Sequence, residues 1–219
     1  MVYKVSKQKV DELLSHIELH APDMEISYKN ETPPGIIPKL LALGISILGL
    51  LGSILSMLPL VCNVGKYLLD FEEKWDTSIA NALVGKYILL PTKDRYKDFT
   101  DLRTYIILRH EYQHILDQRS RPIWFNISYL LLPLPMFYSY RSHWELRALA
   151  HHMVCVYEEV GHVPESIKDW VRSQFHSSLY LWMWKSELTV YTKVEEISER
   201  IEAGDLELTI DIGDQVSWF

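Results

Sequence analysis

Residues 109–117 read RHEYQHILD, and the fold turns on whether His110 and His114 act as a pair. Side chains four residues apart on an α-helix project from one face a turn apart, so two imidazole nitrogens can converge on a single ion. Glu111 lies about 100° round such a helix from His110. That offset sets its carboxylate beside an ion instead of on it, where it can take a proton from a water the ion has activated. Upstream, NALVGKYILLPTKD has strand character at Val84, Tyr87, Ile88, Leu89 and Leu90 and ends at Pro91. The stretch FTDLRTYIILRHEYQHILDQRSRP predicts a helix capped by Thr100, with Asp101 in its first turn and Pro122 beyond its end. The five-residue pattern fixes only three positions and recurs by chance, so the strand before it and the helical setting are what give it weight.

A catalytic zinc takes three protein ligands and keeps a fourth position for water. The candidates for the third ligand are Glu145, His143, His151 and His152, all within SYRSHWELRALAHHMVCVYEEVGHVP. This stretch has helical periodicity and stops at Gly161, suited to a left-handed cap, and Pro164 opens another helix to about Phe175. Glu145 on a mostly apolar helix needs a partner, either a metal ion or an ion pair with Arg147 or Arg141. Asp117 shares the face of His114 and either orients a ligand histidine or pairs with Arg121 on the helix surface.

With RHEYQHILD and WELRALA (residues 144–150) both in view, the chain resembles the gluzincin-like branch of the zincin metallopeptidases, in which a second helix supplies a glutamate as third ligand. It also resembles uncharacterised phage and bacterial metallopeptidase-like proteins ordered as strand, HEYxH helix, apolar insert and a helix that begins Trp-Glu. The resemblance covers roughly residues 83–160. It implies a helix-rich α+β zincin-like domain with a small sheet, the HExxH active helix and a second ligand-bearing helix. It implies Zn2+ held by His110, His114 and Glu145, with Glu111 as general base in peptide-bond hydrolysis. No glycine follows His114 at the spacing that turns the chain toward a third histidine, so the three-histidine branch is not expected. The oxyanion-stabilising residue stays open among Tyr140, His143, His151 and Tyr157. The same resemblance gives the strand at Lys86, Tyr87 and Ile88 a role in pairing with an extended peptide; the plainer reading is an ordinary sheet strand.

The rest of the chain sets limits. Its 219 residues, 48% hydrophobic and 23% charged, are enough for one ordered domain with a small appendage. We divide it into an amphipathic helix and hinge at 1–35, an apolar helical segment at 36–65, and a zincin-like domain with an acidic tail at 66–219. The net charge of −7 resides in residues 186–219, which hold nine acids against two bases. The neutral remainder has no basic stripe for a phosphate backbone, so nucleic acid is not an expected partner. No signal peptide is read at the start, where Val10, Leu13, Leu14 and Ile17 mark one face of a helix. Cys62 and Cys155 allow one disulfide, with two buried free thiols the commoner reading.

Residues 40–65 form 26 consecutive uncharged positions, long enough to cross a bilayer at ~20 residues per span. They predict a membrane-inserted helix or a helical hairpin broken near Pro59, and a membrane or protein partner. A second uncharged run, residues 122–140, contains Pro133 and Pro135, which oppose a continuous helix. If it crossed a membrane, His114 and Glu145 would lie on opposite sides, so a shared ion requires it to fold back. Toward the end, SLYLWMWKSELTVYTK reads as β-prone, VEEISERIEAG as a short helix capped by Gly204, and DLELTIDIGDQVSWF as an edge strand. The expected function is zinc-dependent peptide hydrolysis. The alternative is a non-catalytic structural or interaction protein, such as a virion component, that retains the metal site. The compartment is left open among cytoplasmic, membrane-associated and virion-associated.

Overall fold

The computed structural model describes residues 4–29, 81–83, 85–91, 93–130, 138–176, 185–206, 210 and 212–216, with positions 47, 49–54, 56, 57, 65, 66 and 69 between them. Helix α1 (Lys7–His20) starts where the Ser6 hydroxyl accepts the Lys9 amide at 3.3 Å. It buries Val10, Leu13 and Ile17, while Leu14, expected on the same face, stands 37% exposed at its margin.

Strand β1 (Glu25–Tyr28) follows, then β2 (Asn81–Leu83) and β3 (Tyr87–Leu90). The stretch read as one strand is a hairpin. Gly85 adopts φ 64°, a left-handed conformation that side chains resist, and the chain reverses there. The sheet order is β1-β3-β2, with β1 parallel to β3 (Ile26 opposite Ile88) and β2 antiparallel to it (Ala82 opposite Ile88). After the short helix α2 (Lys93–Tyr96) comes α3 (Leu102–Ser120), which carries the histidine pair. Its cap is Asp101 and not Thr100: the Asp101 carboxylate accepts the Thr104 amide at 3.3 Å, while the Thr100 hydroxyl donates to Asp98. The hairpin turn is tied to the end of α3, since the Gly85 amide donates to the Gln118 side chain and Arg119 Nε donates to the Gly85 carbonyl at 2.6 Å.

The chain turns at Arg121 into α4 (Pro122–Leu130), with proline at the first helical position, where its missing N–H is no loss. Helix α5 (Tyr138–Val160) then packs along α3, and α4 lies against both. The first part of the uncharged run therefore folds back, burying Phe125 and Ser128 and leaving Ile123 outward. Gly161 (φ 78°) closes α5, Pro164 caps α6 (Glu165–Gln174), and Gly204 (φ 75°) closes α7 (Glu187–Ala203).

Two readings of the C-terminal region are corrected. The residues read as β-prone after Ser186 form the first turns of α7, because Val190, Val194, Ile197 and Ile201 recur at helical spacing and all face the core. The described part of the final stretch is no strand: Ile212–Gln215 is a 3-10 turn that inserts Ile212 and Val216 into the core.

The core has two halves joined by α5. One gathers Leu146, Leu149, Met153 and Val154 with α6, α7 and the 3-10 turn. The other gathers Cys155 and Val156 with α1, β3, Tyr96 and α3. Cys155 is buried and free; Cys62 lies outside the described residues. Helices α3 and α5 are thus covered on most of their surface, and their polar side chains at the shared interface must find partners inside the protein.

The hinge after β1 and most of the apolar segment at 36–65 lie outside the described residues. Residues 49–54 are helical, and a methyl group on Gly65 would collide with the backbone of Gly52 and Ser56, a close approach that only glycine permits. Ile47, Leu50, Leu51, Ile54 and Met57 are exposed. Among the described residues no helix is long and apolar enough to cross a membrane.

Candidate metal centre

The i, i+4 spacing on α3 turns His110 and His114 toward α5, where Glu145 projects back at them. Their ring centroids are 5.0 Å apart, and the Glu145 Oε2 atom sits 3.8 Å from His110 Nε2 and 3.6 Å from His114 Nε2. One atom from each of the three residues falls within 4.8 Å of the others, a spacing that can hold a metal ion. All three are buried, Glu145 completely. Its Oε2 accepts no hydrogen bond, and an ionised oxygen out of water without a donor is costly. A cation at the convergence of the three atoms would remove that cost.

The protonation of the three residues shows the same demand. Burial pushes the Glu145 carboxyl up, yet the imidazoles of His114 and His110, with Arg141, outweigh it and hold the group at about 2. Burial also opposes a charge on His114, but the Glu145 carboxylate prevails and raises that imidazole above its ordinary value. His110 is driven down to about 3, by burial first and by the charge on His114 second.

The sequence-predicted residues separate. His110, His114 and Glu145 converge. Glu111, on α3 next to His110, is buried and lies outside the converging group. Asp117 is no surface partner of Arg121. It is 1% exposed, and its Oδ1 accepts from Arg147 Nε at 3.0 Å, Arg147 Nη2 at 2.8 Å and Gln113 Nε2 at 3.1 Å. The ion pair considered between Arg147 and Glu145 does not form; Arg147 joins Asp117 to Asp214 instead. Tyr157 is twelve residues along α5 from Glu145, roughly 18 Å at helical rise, and packs against the core, away from the three converging atoms. His143 faces away, into a cavity of about 520 Å³ lined also by Arg121, Trp124, Tyr140, Trp144 and Arg147. His151 Nε2 is engaged by Gln113 Oε1 at 3.1 Å. Lys86, Tyr87 and Ile88 belong to the hairpin, but β3 is the middle strand: Tyr87 and Ile88 are paired with β1 on one side and β2 on the other, which leaves no edge for a peptide.

Two residues beside the ligands took roles that sequence reasoning did not assign. His152, weighed there as a ligand, partners one: its Nε2 is 3.3 Å from His110 Nδ1. Were a metal to take the His110 Nε2 lone pair, the ring proton would sit on Nδ1, and His110 would donate to His152. Burial keeps His152 neutral, as an acceptor must be, and its ring stacks on Trp170 at 4.5 Å. The spacing from Glu145 to His152, seven residues or two helical turns, was the available signal. Replacing His152 by Phe keeps the stacking and removes the acceptor; metal affinity, measured by chelator competition, is expected to fall about 10–100-fold. The second residue, Tyr129 on α4, donates its hydroxyl proton to Glu145 Oε1. Nothing in its spacing distinguishes it from the packing aromatics of the apolar run.

No protein family matches this chain, and no curated protein or solved structure is significantly similar to it. The class that fold and site define is therefore a helix-rich α+β protein with a buried His-His-Glu group able to hold a metal ion.

Proposed function

We propose that the chain is a zinc-dependent peptidase with a zincin-like arrangement. The observation that carries this is Glu145 Oε2, fully buried, without a donor, and facing two imidazole nitrogens. Two histidines and one carboxylate are the donor set of a catalytic zinc site with a position to spare. Zinc held there would supply Lewis acidity, polarising a carbonyl and lowering the pKa of water to about 7. The remaining chemistry belongs to the protein. Glu111 stands beside the ligands and not among them, the place of a general base that takes the proton of the attacking water and hands it to the leaving amine. Because β3 is internal, an extended peptide would add to the outer edge of β2, which packs on α3.

A second reading, a non-catalytic interaction protein that keeps the metal for stability, draws on the exposed apolar side chains at Ile47, Leu50, Leu51, Ile54 and Met57. Metal analysis of the purified protein tests the first premise of both. One zinc per chain is expected, with a melting temperature that falls when zinc is chelated and recovers when it is restored. Absence of stoichiometric metal, in a chain whose melting temperature ignores added zinc, would sink both readings. Zinc binding without cleavage of any member of a broad peptide library favours the second.

A further inference from the structure

We propose that Tyr129 is a positioning residue of the metal centre: its phenol holds one oxygen of Glu145, so the carboxylate meets a cation through the other oxygen alone. This rests on the metal-centre reading above and concerns how that centre keeps a coordination position open.

A carboxylate can chelate a metal through both oxygens. If Glu145 did so, its two oxygens and two imidazole nitrogens would supply four donor atoms, and a bound water would then be a fifth ligand instead of the fourth. The two oxygens of Glu145 are not equivalent here. Oε1 accepts from the Tyr129 hydroxyl, while Oε2 is the atom that faces both imidazoles and has no donor. A phenol has one proton to give, and giving it to Oε1 makes that lone pair a poorer metal ligand. Three donor atoms then remain for the ion.

Tyr129 is held for this task by its neighbours. Ser128, the residue before it, accepts from Trp144 Nε1 at 2.9 Å, and Trp144 is the residue before Glu145. Two consecutive residues of α4 therefore grip two consecutive residues of α5, and both Ser128 and Trp144 are buried. The phenol ring stacks on Phe125 with centroids 5.1 Å apart and planes 11° apart, lies 5.7 Å from the His114 ring, and has the Arg141 guanidinium 4.8 Å from its centre. The arrangement also gives α4 a purpose, since it delivers a hydroxyl that reaches the third ligand. The committed proton argues against Tyr129 as the oxyanion donor, because that role needs the same hydrogen.

Cobalt substituted into the full-length protein reports coordination number through its visible band, which weakens when a fifth ligand joins four. Wild type is expected to show the intense four-coordinate band. Tyr129→Phe, which frees Oε1, is expected to lower it several-fold with cobalt still bound. Phe125→Leu disturbs the same packing without touching the hydroxyl and should leave the band unchanged. A wild-type band in Tyr129→Phe, or an equal loss in Phe125→Leu, would overturn the proposal while leaving the metal site intact. Failure of wild type to take up cobalt or zinc would instead remove the metal-centre reading, and this proposal with it. Should Tyr129→Phe not fold, X-ray absorption of zinc-loaded wild type decides. One carboxylate oxygen at about 2.0–2.2 Å supports the proposal, and two at bonding distance refute it.

Discussion

Glu111→Gln is expected to purify with the same metal content as wild type and to turn over peptide substrates roughly 10²–10⁴-fold more slowly. The amide preserves the shape of the side chain and its place on α3, and Glu111 is not one of the three residues whose atoms converge. Nothing that holds the ion is removed. What disappears is a carboxylate able to accept a proton, so the loss should appear in kcat with little change in KM. Glu145→Ala gives the contrasting outcome, losing metal and turnover together, because it deletes a ligand and leaves the two imidazoles without their carboxylate. Full turnover by Glu111→Gln would remove the general-base assignment. Loss of metal from it would make Glu111 part of the ligand set, and the division of labour between neighbouring residues would have to be redrawn.

Arg147→Met should be the most damaging change away from the ligands. Asp117 is 1% exposed, and two of the three hydrogen bonds to its Oδ1 come from Arg147. Breaking a buried pair by deleting one partner typically costs about 3–5 kcal/mol, because the other charge stays in the interior uncompensated. For a chain of this length about 1 kcal/mol corresponds to 2–4 °C, so the melting temperature should drop by roughly 6–20 °C. The drop should depend on pH in a definite direction. Burial already raises the Asp117 carboxyl above its ordinary value, even against the opposing pull of Arg147. With the guanidinium gone it rises further. A carboxyl whose folded pKa exceeds its unfolded one binds its proton more tightly in the folded state, so its contribution to stability declines as pH climbs past the unfolded value. The deficit of the variant against wild type should therefore be smaller at pH 5 than at pH 7. Thermal melts at the two pH values check this, and an equal deficit at both would mean that Asp117 does not carry the cost.

How far the sequence could be read depends on the range of the physics involved. The pairing of His110 with His114 is a property of the helix alone, since the i, i+4 spacing brings any two side chains to one face. The helix was equally legible, although its cap, Asp101 and not Thr100, was misplaced by one residue. Glu145 was one of four candidates for the third ligand, favoured by the resemblance and by being an acid on an apolar stretch that needed a partner. The glycine stops at Gly161 and Gly204 were legible for the same local reason, a backbone conformation that glycine adopts freely.

Other features had no local signal. Residues 187–194 carry β-prone side chains, yet they are helical because Val190 and Val194 continue a stripe completed by Ile197 and Ile201 against α5 and α6. Burial of that stripe outweighs intrinsic preferences of a few tenths of a kcal/mol per residue. The middle position of β3 depends on β1, which lies far away in the chain. Asp117 could orient a histidine or pair with Arg121 until packing set Arg147 against it, and Tyr129 was one aromatic among many until α4 folded back. The sequence by itself determined that His110 and His114 can grip an ion together, because that follows from helical periodicity within one turn; the third ligand stayed open among Glu145, His143, His151 and His152 until α5 packed on α3. Only the tertiary structure decided what grips those residues in turn. His110 shares its hydrogen bond with His152 and Glu145 accepts from Tyr129, contacts whose reach depends on how whole helices pack and not on any spacing along the chain.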